Sequence, residues 1–310
     1  MSQVVTRESS SAGSRRWTAF KRASVPWLML APALAILAAF ILNPAINAIY
    51  VSLTDTNLLN LSAQRFVGLD NFVALFGRDD FRESLRNSAV WTFGNVGFQL
   101  VIGMIGALIL NARFRGRAAI RGIVLLPWAT PSVLVALMWL WILDPNLGLL
   151  NHLLEAVGLG QQKPIAWLSD QHLALPTLMG IDIWQGIPFF AVMILAALQG
   201  VPTELLESAK IDGASAWQTY WRVVLPLIMP TVLITVILRL IWTANYFDLI
   251  LVLTNGGPAN ATLTLPLNSY ITSYKGGDFG GGAALGVVQA VLLAILVAFY
   301  MRQVRKSEIA

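Results

Sequence analysis

The sequence predicts an all-α integral membrane protein with six transmembrane helices. Hydrophobic residues make up 56% of the 310 and charged residues only 12%. The mean hydropathy of +0.67 belongs to a chain that meets lipid rather than to a soluble core. Six apolar stretches, near 27–50, 88–111, 120–142, 173–198, 226–253 and 282–302, each reach the roughly 20 residues a helix needs to cross hydrocarbon. The cations between these stretches are also unevenly shared.

Residues 1–24, rich in Ser and Arg, read as a disordered basic tail ahead of a transmembrane domain over 25–310. The basic start and apolar run of 1–42 imitate a secretory signal. Its cleavage-like triplets, Ala31 to Ala33 and Ala33 to Ala35, fall inside the apolar run, so the first span is expected to be retained. The second and third spans are joined by a short arginine-rich turn. Pro127 and Pro131 in the third span and Pro188 in the fourth each remove a backbone donor and favour kinks. Broken backbone is tolerated at membrane depth where protein or a wet cavity satisfies it, so these prolines mark a pathway or, alternatively, simple packing bends.

An even number of spans puts both termini on one side. With the N-terminus inward, the inner segments carry fourteen of the 21 cations: Arg7, Arg15, Arg16, Lys21, Arg22, Arg113, Arg115, Arg117, Arg121, Lys210, Arg222, Arg302, Arg305 and Lys306. The outer segments carry six (Arg65, Arg78, Arg82, Arg86, Lys163 and Lys275), and Arg239 alone lies within a span. The positive-inside rule therefore places both termini and the segment 202–225 in the cytoplasm of a multi-pass protein of the plasma membrane. The pI of 9.7 follows from topology and does not argue for nucleic acid.

Several chemistries have no residues to carry them. The absence of cysteine removes disulfides and thiolate metal sites. His152 and His172 share an outer loop with no third ligand nearby, so no metal site is expected. There is no G-x-x-x-x-G-K-[ST] phosphate loop, so the chain is not itself an ATP-hydrolysing subunit. Gly276, Gly277 and Gly280 to Gly282 lack the strand-before, helix-after setting of a nucleotide site, and no catalytic triad or carboxylate pair stands out. A non-catalytic membrane protein is the expectation.

The most informative stretch is Pro202 to Pro230, a polar helical hairpin between two apolar spans. Glu204 suits the dipole of an opening turn, Gly213 after Asp212 is a left-handed stop, and Ser215 with Gln218 is a capping-box pattern. Trp217, Tyr220, Trp221 and Val224 fall at i, i+3, i+4 and i+7, one apolar-aromatic face. That face suits either docking on a partner or packing against the chain's own spans.

Within the spans, ionisable groups are expensive and default to functional hypotheses. Asp182 lies in the fourth span, Arg239 and Asp248 in the fifth. Arg239, Trp242, Thr243 and Tyr246 share one helical face, and a charged donor, an aromatic plate, a hydroxyl and a phenol suit a hydroxyl-rich sugar. At about 1.5 Å per residue, Asp182 lies roughly 14 Å and Arg239 roughly 21 Å from the outer ends of their spans, close enough in depth to meet. Arg239 paired with Asp182 or Asp248 as a pin between helices is the competing reading, and both can hold. Asn95, Gln99 and Gln289 read as interhelical hydrogen-bonding residues.

Glu207-Ser208-Ala209, Asp212-Gly213-Ala214 and Val223-Val224-Leu225-Pro226 resemble the coupling loop of ABC importer permeases, with Ser208 in place of the usual Ala. Arg115-Gly116-Arg117 leading to Leu125-Leu126-Pro127-Trp128-Ala129-Thr130-Pro131, Trp184 to Phe189, Thr254 to Pro258 and Phe66 to Phe72 resemble the sugar-permease branch of that family. The likeness is closest to the first permease subunit of the maltose/trehalose type, with actinobacterial trehalose importers nearest.

The resemblance implies a type I ABC importer permease fold in which the loop 200–225 couples to an ATPase through Glu207, Ala209, Asp212, Gly213, Trp217 and Trp221. It implies that Asp182, Gly186, Phe189, Arg239, Trp242, Thr243 and Tyr246 line a sugar cavity, the charges at Asp182 and Arg239 being departures from the relatives. The expected cargo is a sugar, a disaccharide with trehalose as first candidate. The expected partners are a second homologous permease, two copies of an ABC ATPase, an extracytoplasmic solute-binding protein or lipoprotein, and membrane lipids. No cofactor is expected on this chain, ATP and Mg belonging to the ATPase. The alternatives are an ion-coupled secondary transporter, which the hairpin, the few spans and the lack of an obvious inverted repeat oppose, and a membrane-embedded enzyme, which lacks a catalytic constellation.

Overall fold

The computed structural model describes residues 27–60, 64–112, 114–160 and 163–309. The tail expected over 1–24, and Arg113 of the inner cation set, lie outside the described residues. The chain divides into two units, residues 1–51 and 52–310. All but the last residue of helix α1, Trp27–Ser52, belongs to the first unit; the helix widens into a π-turn at Ala38–Leu42, with the Asn43 N–H donating to the Ala38 carbonyl. Pro44 follows at once. A proline ring crowds the carbonyl four residues back and supplies no donor to it, and a widened turn relieves both defects. The same device recurs in the second unit, where the π-turn Tyr220–Val224 stands just ahead of Pro226.

The second unit is helical throughout its regular structure. In chain order come α2 (Asp70–Gly77), α3 (Asp79–Asn111), α4 (Arg117–Ala129), α5 (Ser132–Ile142) and α6 (Leu149–Ala156). Then follow α7 (Ala174–Gln199), α8 (Thr203–Ile211), α9 (Ala216–Thr219), α10 (Leu225–Asn245), α11 (Asp248–Leu253), α12 (Leu265–Tyr270) and α13 (Phe279–Ile309). Among the described residues, extended pairing is confined to two isolated bridges, Thr54 with Phe66 and Asn57 with Asp278. Among the described residues five helical runs are long and apolar enough to cross a membrane, and α4 with α5 makes a sixth if that bent pair is one span.

Two expected spans are not continuous. The stretch 120–142 is two helices meeting at 93° rather than one kinked helix. Thr130 leaves the helical region (φ −81°, ψ 130°) because the ring of Pro131 disfavours a helical residue before it. The Thr130 N–H and Oγ1 still reach the Leu126 carbonyl, at 3.1 and 2.7 Å. Pro127 and Pro188, by contrast, stay inside their helices. The stretch 226–253 breaks at Tyr246, which is extended (φ −84°, ψ 112°), so α10 ends at Asn245 and α11 begins afresh.

Helices α3 and α7 form the centre of the unit. Gly103 lets them touch: a Cβ there would lie 2.4 Å from the Phe190 Cβ and 3.2 Å from the Ala191 nitrogen. Around this contact Ala107, Phe190, Ile194 and Leu195 of the pair are buried with Ile228, Val232 and Leu240 of α10. A second cluster joins Trp91, Leu178 and Ile181 to Leu249, Ile250 and Leu267. The Trp91 indole donates to the Thr243 carbonyl at 3.1 Å, tying α3 to the last turn of α10. Small residues at helix contacts suit a membrane, where lipid offers no hydrophobic drive and close packing must supply the attraction. Gly103→Val is expected to force α3 and α7 apart at an overpacking cost of about 1–3 kcal/mol. Thermal melting of the purified protein checks this, and an unchanged midpoint would contradict the close contact.

Candidate functional site

The polar centre is built from three helices. On α7, Asp182, Gln185, Gly186 and Phe189 recur at i, i+3, i+4 and i+7 and so share a face. That face meets Gln99 of α3 and Arg239 of α10. Asp182 is 1% exposed, so its charge depends on protein partners. The Gln99 Nε2 donates both to the Asp182 backbone carbonyl at 2.8 Å and to its Oδ2 at 2.9 Å. The Arg239 Nε donates to the Gln99 Oε1 at 2.7 Å, and the Arg239 Nη2 pairs with the Asp182 Oδ1 at 3.4 Å. Of the two partners open to Arg239 in the sequence, the one it meets is Asp182. Asp248 lies exposed in the first turn of α11.

Gly186 belongs to this triad rather than to an open wall. A Cβ added there would stand 2.4 Å from the Gln99 carboxamide carbon and 2.5 Å from the Arg239 Nη2. The missing side chain is what allows both groups to lie against α7.

Beside the triad runs an aromatic row. Phe189 stacks on Trp128 of α4, with ring centroids 6.1 Å apart, and meets Trp242 of α10 at 5.2 Å. Trp242 is 47% exposed in the chain alone and Trp128 is similarly open, while Phe189 is buried between them. Tyr246 adds a polar edge. Its hydroxyl donates to the Gln185 Oε1 at 3.1 Å, and the Gln185 Nε2 donates to the Thr130 carbonyl at the α4–α5 break, at 3.2 Å.

The expected stripe on the fifth span is therefore split. Arg239 and Thr243 point into the bundle, Trp242 is open, and Tyr246 sits beyond the end of the helix. Two residues of this centre were not among the expected site residues. Gln99 is the bridge of the ionic network as well as an interhelical bond, and Gln185 supports Tyr246. The i+3 spacing of Gln185 from Asp182 is the signal that points to it. Gln289 bonds between helices as expected, to the Ala244 carbonyl at 3.1 Å and the Asn245 Oδ1 at 3.0 Å.

The hairpin lies apart from this centre. Helix α8 ends in a left-handed stop: Gly213 has φ +74°, its N–H donates to the Lys210 carbonyl at 3.1 Å, and the Ala214 N–H donates to the Ala209 carbonyl at 2.9 Å. These are the two bonds of a Schellman motif. The Ser215–Gln218 capping box then starts α9. Glu207 and Asp212 are exposed and Ala209 is buried. Trp217 and Trp221, edge to face at 5.4 Å, remain 70% and 48% exposed, whereas Tyr220 and Val224 are half-buried.

Polar groups held at membrane depth between three spans, with a structured polar hairpin between two of them, define a membrane transport subunit. The chain belongs to the family of binding-protein-dependent transport system inner membrane components, which it matches over residues 99–307. It is similar to the trehalose/maltose transport system permease protein MalF of Thermococcus litoralis, 33% identical over 283 residues that cover 91% of this chain and 94% of that one. It is also similar to the diacetylchitobiose uptake system permease protein NgcF of Streptomyces coelicolor, 34% identical over 294 residues, 92% and 83% of the two chains. Among solved structures, a chain of a bacterial ABC transporter involved in the import of the acidic polysaccharide alginate superposes with a TM-score of 0.81. Its identity is 26%, covering 94% of this chain and 99% of that one. The fold is that of the type I ABC importer permeases.

Removing one member of a buried ion pair strands the other charge, typically at about 3–5 kcal/mol, whereas replacing both by apolar groups is close to neutral. Arg239→Met alone is thus expected to lower the thermal midpoint strongly, and Asp182→Leu/Arg239→Met to recover most of the loss. Additive losses in the double variant would show that the two charges are not coupled.

Proposed function

We propose that this chain is a membrane-spanning subunit of an ATP-driven importer that passes a sugar, a disaccharide of the trehalose or maltose kind, into the cytoplasm. The observation that carries this reading is the row Trp128–Phe189–Trp242 lying beside the Tyr246 hydroxyl and the Gln185 amide. Ring faces cover the C–H patches of a sugar while neutral donors and acceptors bond its hydroxyls. Similarity to permeases named for trehalose/maltose and diacetylchitobiose supports it. In this reading Asp182, Gly186, Arg239 and Thr243 frame the site from within the bundle, and Phe189, Trp242 and Tyr246 are its sugar-facing side.

The chain works in the plasma membrane with both termini cytoplasmic, beside a second homologous permease. Two copies of an ATPase, which carry the ATP and Mg, bind beneath, and an extracytoplasmic binding protein delivers the sugar. The hairpin 202–225 couples the machine. Glu207 and Asp212 are its exposed acidic contacts, Ala209 and Gly213 set its turn, and Trp217 with Trp221 form the aromatic anchor.

Labelled-sugar uptake by a strain lacking this chain tests the function directly, with loss of trehalose or maltose uptake expected. Trp242→Ala should lower uptake at least about tenfold, the loss of a stacking platform worth roughly 1.5 kcal/mol, at normal membrane abundance and normal sugar-independent ATPase activity. Wild-type uptake at every sugar concentration would place the path elsewhere. Gly213→Pro, which cannot adopt the positive φ of the stop, should leave the protein in the membrane but abolish ATP-driven uptake. Normal uptake by this variant would remove the hairpin from the coupling.

A further inference from the structure

We propose that Asp182 sets the charge selectivity of this site: it holds the charge of Arg239 within the bundle, so that the pathway accepts uncharged sugars and turns away anionic ones. The inference rests on the reading of the aromatic row as the sugar site and adds a substrate class to it.

Arg239 is the only cation in the middle of a span. In a medium of low dielectric a free guanidinium attracts carboxylates and phosphates strongly and binds them in a bidentate manner. Here it is already engaged. Its Nε is taken by Gln99 and its Nη2 faces Asp182, and its side chain is only 12% exposed. The Asp182 carboxylate is closed as well, Oδ1 on Arg239 and Oδ2 on Gln99. The two charges thus face each other across a fixed amide.

What lies beyond them is the neutral set of the Phe189, Trp242 and Trp128 rings, the Tyr246 hydroxyl and the Gln185 amide, with the exposed carboxylate of Asp248 two residues past Tyr246. An anionic sugar entering there would shed its water against ring faces that are themselves electronegative, with no free cation to replace the hydration. A neutral sugar meets no such penalty. Gly186 keeps the arrangement tight, since any side chain there would push Gln99 and Arg239 off α7.

The charge on Asp182 is what the test changes. Asp182→Asn preserves the size of the side chain and removes the counter-charge, leaving Arg239 as an uncompensated cation beside the aromatic row. The assembled complex of both permeases and the ATPase, in lipid nanodiscs and without the binding protein, is titrated with trehalose, maltose and the 6-carboxylate of each. Saturation-transfer NMR reports binding. In the wild type the neutral sugars are expected to be favoured at least about tenfold over their carboxylates, and Asp182→Asn should shift that ratio at least about tenfold toward the carboxylates, the size of one charge-assisted hydrogen bond.

If Asp182→Asn does not assemble, the uncharged pair Asp182→Asn/Arg239→Gln serves, and it should keep the neutral preference. Equal binding of neutral and anionic sugars by the wild type would overturn the inference while leaving the sugar site standing. So would an unchanged ratio in Asp182→Asn, or a carboxylate preference in the uncharged pair. Binding of none of the four by the wild type would overturn the sugar-site reading and the selectivity with it.

Discussion

Asp182 stands inside a transmembrane helix with almost none of its surface open, where hydrocarbon offers no partner for a charge. Only protein donors can hold it, and each donor comes from a different span. Gln99 must reach from α3 and Arg239 from α10, and both can do so only because position 186 carries no side chain. The register of three helices is thereby fixed at one depth. A shift of α7 or α10 by a turn would leave a carboxylate and a guanidinium unpaired, a cost of several kcal/mol in a medium that forgives little, and a shift of α3 would remove the amide that bridges them. The Gly103–Phe190 contact a turn further along makes the same demand in steric form, since α3 and α7 touch there through backbone and a single Cβ.

The breaks in the helices follow a related economy. At Thr130 and at Tyr246 the chain gives up regular hydrogen bonding within the apolar stretches, and the two breaks are joined. The Tyr246 hydroxyl bonds Gln185, and the Gln185 amide takes the Thr130 carbonyl. Backbone that would otherwise face hydrocarbon unsatisfied becomes part of a polar edge next to the aromatic row. The elements that interrupt the bundle are thus the ones that furnish it with hydrogen-bonding groups. The widened turns ahead of Pro44 and Pro226 solve the milder problem of a proline inside a continuing helix without breaking it.

The hairpin obeys local rules and is held together by them. A glycine stop, a capping box and an edge-to-face pair of tryptophans give it shape without a core of its own. Trp217 and Trp221 keep much of their surface open while Tyr220 and Val224 are half-buried, Val224 against the core cluster that holds Ile228. The four residues that form one helical stripe in sequence therefore divide between an exposed pair and a half-buried pair, each spaced by four residues.

The number and order of the spans, the hairpin with its Gly213 stop and its capping box, and the likeness to importer permeases were all readable in the sequence. Each rests on apolar run length or on contacts within a few residues. The meeting of Asp182 with Arg239 was open between two partners, since Asp182 and Asp248 are both acidic and only the packing of α7 against α10 separates them. Gln99 read as one interhelical bond among several because nothing along α3 records what faces it. In the sequence Thr130 and Tyr246 fall inside continuous apolar stretches, although the proline after Thr130 carries the clue to a right-angled bend. What the sequence determined by itself was whatever depends on neighbours along the chain. What only the tertiary structure decided was which distant polar groups meet, because in a bundle held by close contact the partner of a buried charge is chosen by helix register and not by composition.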